Sequence, residues 1–231
     1  AGHAGHFSVK DLATAKWSER YLDEILAAIK SFLNPDSNTP YQLRKLVIAC
    51  HSGGGNGMRN LVGTLGKYRS NLAACWGFDC LYGASATPDD ATFWIEWARG
   101  PGAAPIEIIY GPSTLPQSVK LDLMARGWAT ADGNRADPRR VPLANVNVNI
   151  GHYDAFPAFG QMVKVNDLSH DDVDGFMIPP SPGGTAGRMH GKPHGEFLQQ
   201  AIANVRKSVP FPQDIHYMIA RNGFRSRLGS L

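Results

Sequence analysis

Long apolar runs are missing from this sequence. No segment of its 231 residues approaches the length that spans a bilayer. The opening AGHAGHFSVK lacks the apolar stretch of a signal peptide, so none is expected at Ala1. Runs of Lys and Arg are missing too. The formal charge of +3 is dispersed, and the cluster Arg135 to Arg140 reads as a solvated loop. These absences argue against a nucleic-acid groove and against integral membrane contact. Cysteine is scarce: Cys50, Cys75 and Cys80 make no even framework, and no Cys-x-x-Cys pair appears. Buried free thiols are expected, and no metal site.

What remains is an ordinary globular composition, 43% hydrophobic and 19% charged, enough for a single α/β domain over 1–231. Glycine and proline, 25 and 16 residues in all, crowd together from Pro179 to Gly195 and point to long ordered loops after residue 150.

The most informative stretch is Lys45 to Leu65, KLVIACHSGGGNGMRNLVGTL. A short β-branched run, Leu46 to Ala49, meets His51-Ser52-Gly53-Gly54-Gly55, and helical spacing follows at Met58, Leu61, Val62 and Leu65. The pattern predicts a buried strand, a sharp glycine-rich turn and a helix. A serine at such a corner leaves no room for a bulky neighbour, so a small residue is wanted two positions before it and glycine two after. Cys50 and Gly54 fill those places. A glycine turn opening a helix also suits anions, through its exposed N–H groups. This one has no Lys-Ser or Lys-Thr pair after its glycines, and Gly53, Gly55 and Gly57 do not fit G-x-G-x-x-G.

Cys50-His51-Ser52-Gly53-Gly54 resembles the nucleophile elbow of the α/β-hydrolase superfamily, Gly-x-Ser-x-Gly, with cysteine at the first glycine. The resemblance implies a three-layer sandwich on a mostly parallel sheet and a Ser-acid-His triad in that chain order, with Ser52 as nucleophile. It also implies that the backbone N–H of Gly53 is the first oxyanion donor, with His51 beside it as a pocket wall. In that family several strands precede the nucleophile strand. Here one helix does, so the front strands are expected to be absent, rearranged, or supplied by a second chain or segment. The backbone around Gly2 to His6, otherwise a flexible end, is a candidate for the second oxyanion donor.

Around that stretch, an apolar stripe from Trp17 to Leu33 predicts an amphipathic helix ended by Asn34-Pro35. Leu72 to Gly83 predicts a strand ending in Asp79, either a triad acid at the catalytic end of the sheet or a cap for the following turn. A helix over 88–99, with Phe93, Trp94 and Trp97 on the sheet, leads to a strand over 105–110. No carboxylate lies between Gly111 and Ser118, where most relatives carry the acid, so the assignment falls on Asp79. A further helix, 115–128, precedes the alternating Val146 to Ile150, a half-exposed strand near the sheet edge that ends at His152. His152 is the first candidate for the base. His194, which opens a helix after a proline- and glycine-rich loop, is its rival. His216, in Ile215-His216-Tyr217, reads as structural. Loop 153–192 either forms a lid over an apolar pocket or wraps the core, and Arg221, Arg225 and Arg227 read as an exposed basic end.

Together these features lead to the expectation of a serine esterase- or lipase-like hydrolase, acting on a small-molecule or polymer ester through Ser52, Asp79 and His152 or His194, without a cofactor. The alternative is a non-catalytic α/β module that holds an anionic ligand or partner at the Gly53 to Gly57 turn.

Overall fold

A computed structural model describes residues 14–33, 42–82, 88–111, 114–127, 148–153 and 215–228. Four parallel strands lie side by side in chain order: β1 (Leu46–His51), β2 (Leu72–Phe78), β3 (Ile106–Tyr110) and β4 (Val148–His152). Between them run α2 (Gly54–Gly63), α3 (Asp90–Arg99) and α4 (Leu115–Ala125), preceded by α1 (Ala15–Leu33). A fifth helix, α5 (Ile215–Leu228), closes the described chain. This is an α/β architecture built from repeated strand-helix units.

The alternation of side chains across the pleat explains how the helices sort. Ile48 and Cys50, Cys75, Ile106 and Ile108, and Ile150 face one way and join the larger core with Met58 and Val62 of α2, Trp94 and Ile95 of α3 and Leu121 of α4. Trp76, Phe78 and Ile109 face the other way, where Ile219 and Phe224 of α5 cover them. Burying a large apolar side chain such as Trp94 or Ile108 contributes about 1.5–3 kcal/mol. Among the described residues, helices thus lie against both faces of the sheet. Phe93 and Trp97 sit at the rim of the larger core, under the guanidinium groups of Arg59 and Arg69 at 4.5 Å each.

The strand register sets up the site. His51 pairs with Phe78, Phe78 with Ile109, and Ile109 with Gly151, so the carboxyl ends of all four strands finish in one row. The residues just past that row, Ser52, Asp79 and Gly111, therefore emerge along one edge of the sheet. Open parallel sheets bind ligands at this edge. Among the described residues β1 and β4 are the outer strands. The three cysteines are free and buried, and no described helix is long and apolar enough to cross a membrane.

The helices 17–33, 88–99 and 115–128 expected from sequence correspond to α1, α3 and α4, with ends shifted by a few residues. The basic end read around Arg221 is instead a helix, α5, that lies on β2 and β3. The segment Gly2 to His6, the helix opened by His194 and the 154–192 part of the lid segment lie outside the described residues.

Candidate active site

Two non-glycine residues among those described adopt a left-handed backbone: Ser52, φ 55°, and Asp79, φ 45°. Each immediately follows a neighbouring strand of the row. A side chain in this conformation costs about 1–3 kcal/mol, which persists only where the surroundings enforce it, commonly at a site of function.

Sterics and main-chain hydrogen bonds enforce it at Ser52. Its N–H donates to the Phe78 carbonyl of the next strand at 3.1 Å, and its own carbonyl accepts from Gly55 N–H at 3.1 Å, starting α2 in a tight four-residue turn. A Cβ on Gly54 would lie 3.3 Å from Cys50 Cβ, which explains how cysteine fits two positions before the serine. The harder constraint falls one residue later. A Cβ on Gly55 would lie 2.1 Å from the Cys80 carbonyl oxygen, so the elbow and the loop carrying Asp79 touch through a glycine. Sequence spacing put the demand on Gly54. The closest approach is at Gly55, because a loop distant in sequence packs there.

At Asp79 hydrogen bonds do the holding. The carboxylate is fully buried, and a buried carboxylate must find donors. Oδ1 accepts from Gly111 N–H at 2.9 Å and from the Thr114 hydroxyl at 2.6 Å. Oδ2 is 2.5 Å from His216 Nδ1. Its main-chain N–H donates to the Ile109 carbonyl at 2.8 Å. These partners belong to the β3–α4 connection and to α5, so Asp79 is no local turn cap. It ties three elements together.

His216 is thus brought to the row from 137 residues away. A carboxylate facing Nδ1 makes that nitrogen the donor, and in the neutral form of the ring this tautomer has its lone pair on Nε2. The seating of α5 fixes the ring. Ile219 is buried against Gly111, where a Cβ would lie 2.5 Å from its Cδ1. Gly223 rests on the Phe78 ring, 2.3 Å from where a Cβ would be, and Phe224 packs on Phe78 with ring centroids 4.6 Å apart. Arg227 pairs with Glu107 of β3. Burial pushes the Glu107 carboxyl up, while the Arg227 guanidinium pulls it the other way.

His51, the residue before the serine, joins elbow to helix. Its Nε2–H donates to the His216 main-chain carbonyl at 2.9 Å, and the two rings stand 4.3 Å apart. Burial holds its pKa below the ordinary histidine value, so the ring is neutral and acts as a wall with one fixed donor. Ser52 Oγ is 3.2 Å from the Tyr82 hydroxyl. It makes no hydrogen bond to His216 in this structure. Gly53 caps α2 in helical backbone geometry, with no side chain taking up the first N–H groups of the helix.

Of the residues expected from sequence, Ser52, Gly53, His51 and Asp79 come together at this edge. His152 closes β4 opposite Tyr110, two strands from Phe78, and His194 lies outside the described residues. His216 and Tyr82 are the additions. The sequence signal for His216 was its position after Ser52 and Asp79, ahead of Ile219, Gly223 and Phe224 at helical spacing. Among the described residues no cluster of three or more His, Cys, Asp or Glu side chains could hold a metal ion.

No family model matches this sequence, and no significant match is found among curated proteins or solved structures.

Proposed function

We propose that this protein is a serine hydrolase of α/β-hydrolase type that cleaves an ester or related acyl bond, with Ser52 as nucleophile, His216 as base and Asp79 as the carboxylate behind it. The observation that carries the reading is the Asp79–His216 pair. A fully buried carboxylate, held by two further donors, points its second oxygen at an imidazole that packs on His51, the residue before a serine in strained backbone.

In the proposed reaction Ser52 Oγ attacks the acyl carbon while His216 Nε2 takes the hydroxyl proton. The bond to the leaving group breaks, and the same proton passes to that group. Water then attacks the acyl-serine, again losing a proton to His216, and the acid leaves with Ser52 restored. Asp79 keeps the imidazole in the tautomer with Nε2 bare and stabilises the cation formed in each half. The Gly53 N–H and the uncapped start of α2 stabilise the oxyanion, at about 3 kcal/mol for a well-placed donor. The chemistry needs the serine and imidazole to meet once an acyl group is bound, and catalytic hydrogen bonds often tighten only then.

The uncapped α2 terminus also favours the alternative of an anion held at the Gly53 to Gly57 turn. That alternative leaves the Asp79–His216 pair without a role. A fluorophosphonate probe separates the two. The wild-type chain is expected to be labelled and Ser52→Ala to be unlabelled with its melting temperature unchanged. Labelling that survives Ser52→Ala removes the serine from the mechanism, and an inert wild type stabilised by phosphate favours the anion-binding module.

A further inference from the structure

We infer that the Tyr82 hydroxyl is the second oxyanion donor of this site, an inference that rests on Ser52 being the nucleophile. Gly53 N–H supplies one donor from the residue after the serine, and no other candidate from sequence lies among the described residues. The Tyr82 hydroxyl is 3.2 Å from Ser52 Oγ, the atom to which an acyl group must come.

The phenol is carried there by the same loop that carries the acid. Asp79, three residues earlier, is fixed by its hydrogen bonds. Cys80 and Leu81 are buried, and the Cys80 carbonyl lies against Gly55 at the start of α2. Of these three residues only Tyr82 turns outward, 42% exposed, where an arriving substrate can meet it. In the tetrahedral adduct the oxyanion sits two bonds from Oγ. A hydroxyl already bound to Oγ reaches that oxygen by a small χ1 rotation, exchanging a hydrogen bond to a neutral hydroxyl for a stronger one to a charged oxygen. That exchange favours the transition state over the resting enzyme. The phenol proton stays on Tyr82 throughout, and Ser52 still gives its proton to the imidazole.

The experiment is Tyr82→Phe in the full chain, assayed with a short-chain p-nitrophenyl ester and with phenylboronic acid, which forms a tetrahedral adduct on an active serine. The wild type is labelled in parallel with a fluorophosphonate. Losing one oxyanion donor is expected to lower kcat by about 10²–10³-fold with KM little changed. Boronate affinity should fall in proportion to kcat/KM. A Tyr82→Phe enzyme with undiminished kcat overturns the inference. So does a kcat loss with boronate affinity intact, which would make Tyr82 a positioning residue for the serine. A wild type that the fluorophosphonate does not label removes the nucleophile itself. That failure belongs to the hydrolase reading, and it takes the Tyr82 assignment down with it.

Discussion

The turn after β1 and the turn after β2 solve the same problem by different means. Each forces a non-glycine residue into left-handed backbone, Ser52 in one and Asp79 in the other. At Ser52 the side chain stays near the surface and the constraint is mainly steric: Gly54 and Gly55 let Cys50 and the Cys80 carbonyl approach where no Cβ would fit. At Asp79 the side chain turns inward, and three hydrogen-bond donors hold its carboxylate. On the proposed reading Ser52 is a nucleophile that must remain accessible, which suits a constraint supplied by packing beneath it. On the same reading Asp79 orients a base, a task suited to a group out of water, where each hydrogen bond is stronger and its own polar contacts can hold it.

The largest expected effect breaks the steric turn. Gly55→Ala places a methyl group where the Cys80 carbonyl oxygen stands, and the two loops must separate. A loss of about 3 kcal/mol or more is expected in urea denaturation, while Gly57→Ala, with nothing within 4 Å of its Cβ, serves as the harmless control in the same helix. Equal midpoints for both variants would mean that the elbow and acid loops do not touch there.

A smaller effect is expected at the hydrogen-bonded turn. Thr114→Val keeps the shape but removes the hydroxyl that donates to Asp79 Oδ1. Leaving a buried carboxylate one donor short costs about 1–3 kcal/mol, read as a lower denaturation midpoint. Because Gly111 N–H and His216 remain, turnover should fall far less than stability. If turnover collapses while the midpoint stays put, Thr114 holds something other than the carboxylate.

The contrast also explains what the sequence discloses. The serine turn is written locally: β-branched strand, glycines and helical spacing stand next to one another from Leu46 to Leu65, so strand, turn and α2 were legible. Asp79 was legible as a carboxylate at a strand end, and a mostly parallel sheet was expected from the resemblance, whereas the strand order β1 to β4 emerges only from the fold. The partner of Asp79 was not. His216 sits on a helix whose apolar contacts reduce to Ile219, Gly223 and Phe224, with arginines interleaved, so the segment reads as a basic tail. One of those arginines, Arg227, in fact clamps the helix to Glu107. Nor could spacing assign the tightest glycine, since the Cys80 carbonyl reaches Gly55 only after the chain has folded.

The histidine variants test the central claim most directly: the rate of fluorophosphonate labelling in His216→Ala, His152→Ala and His194→Ala, each compared with wild type. Labelling in His216→Ala should slow by about 10³-fold or more, as loss of a triad imidazole does, while the other two variants keep rates close to wild type. If His216→Ala labels at the wild-type rate and His152→Ala or His194→Ala does not, the imidazole on Asp79 is not the base, and the pairing of these two residues belongs to the fold alone.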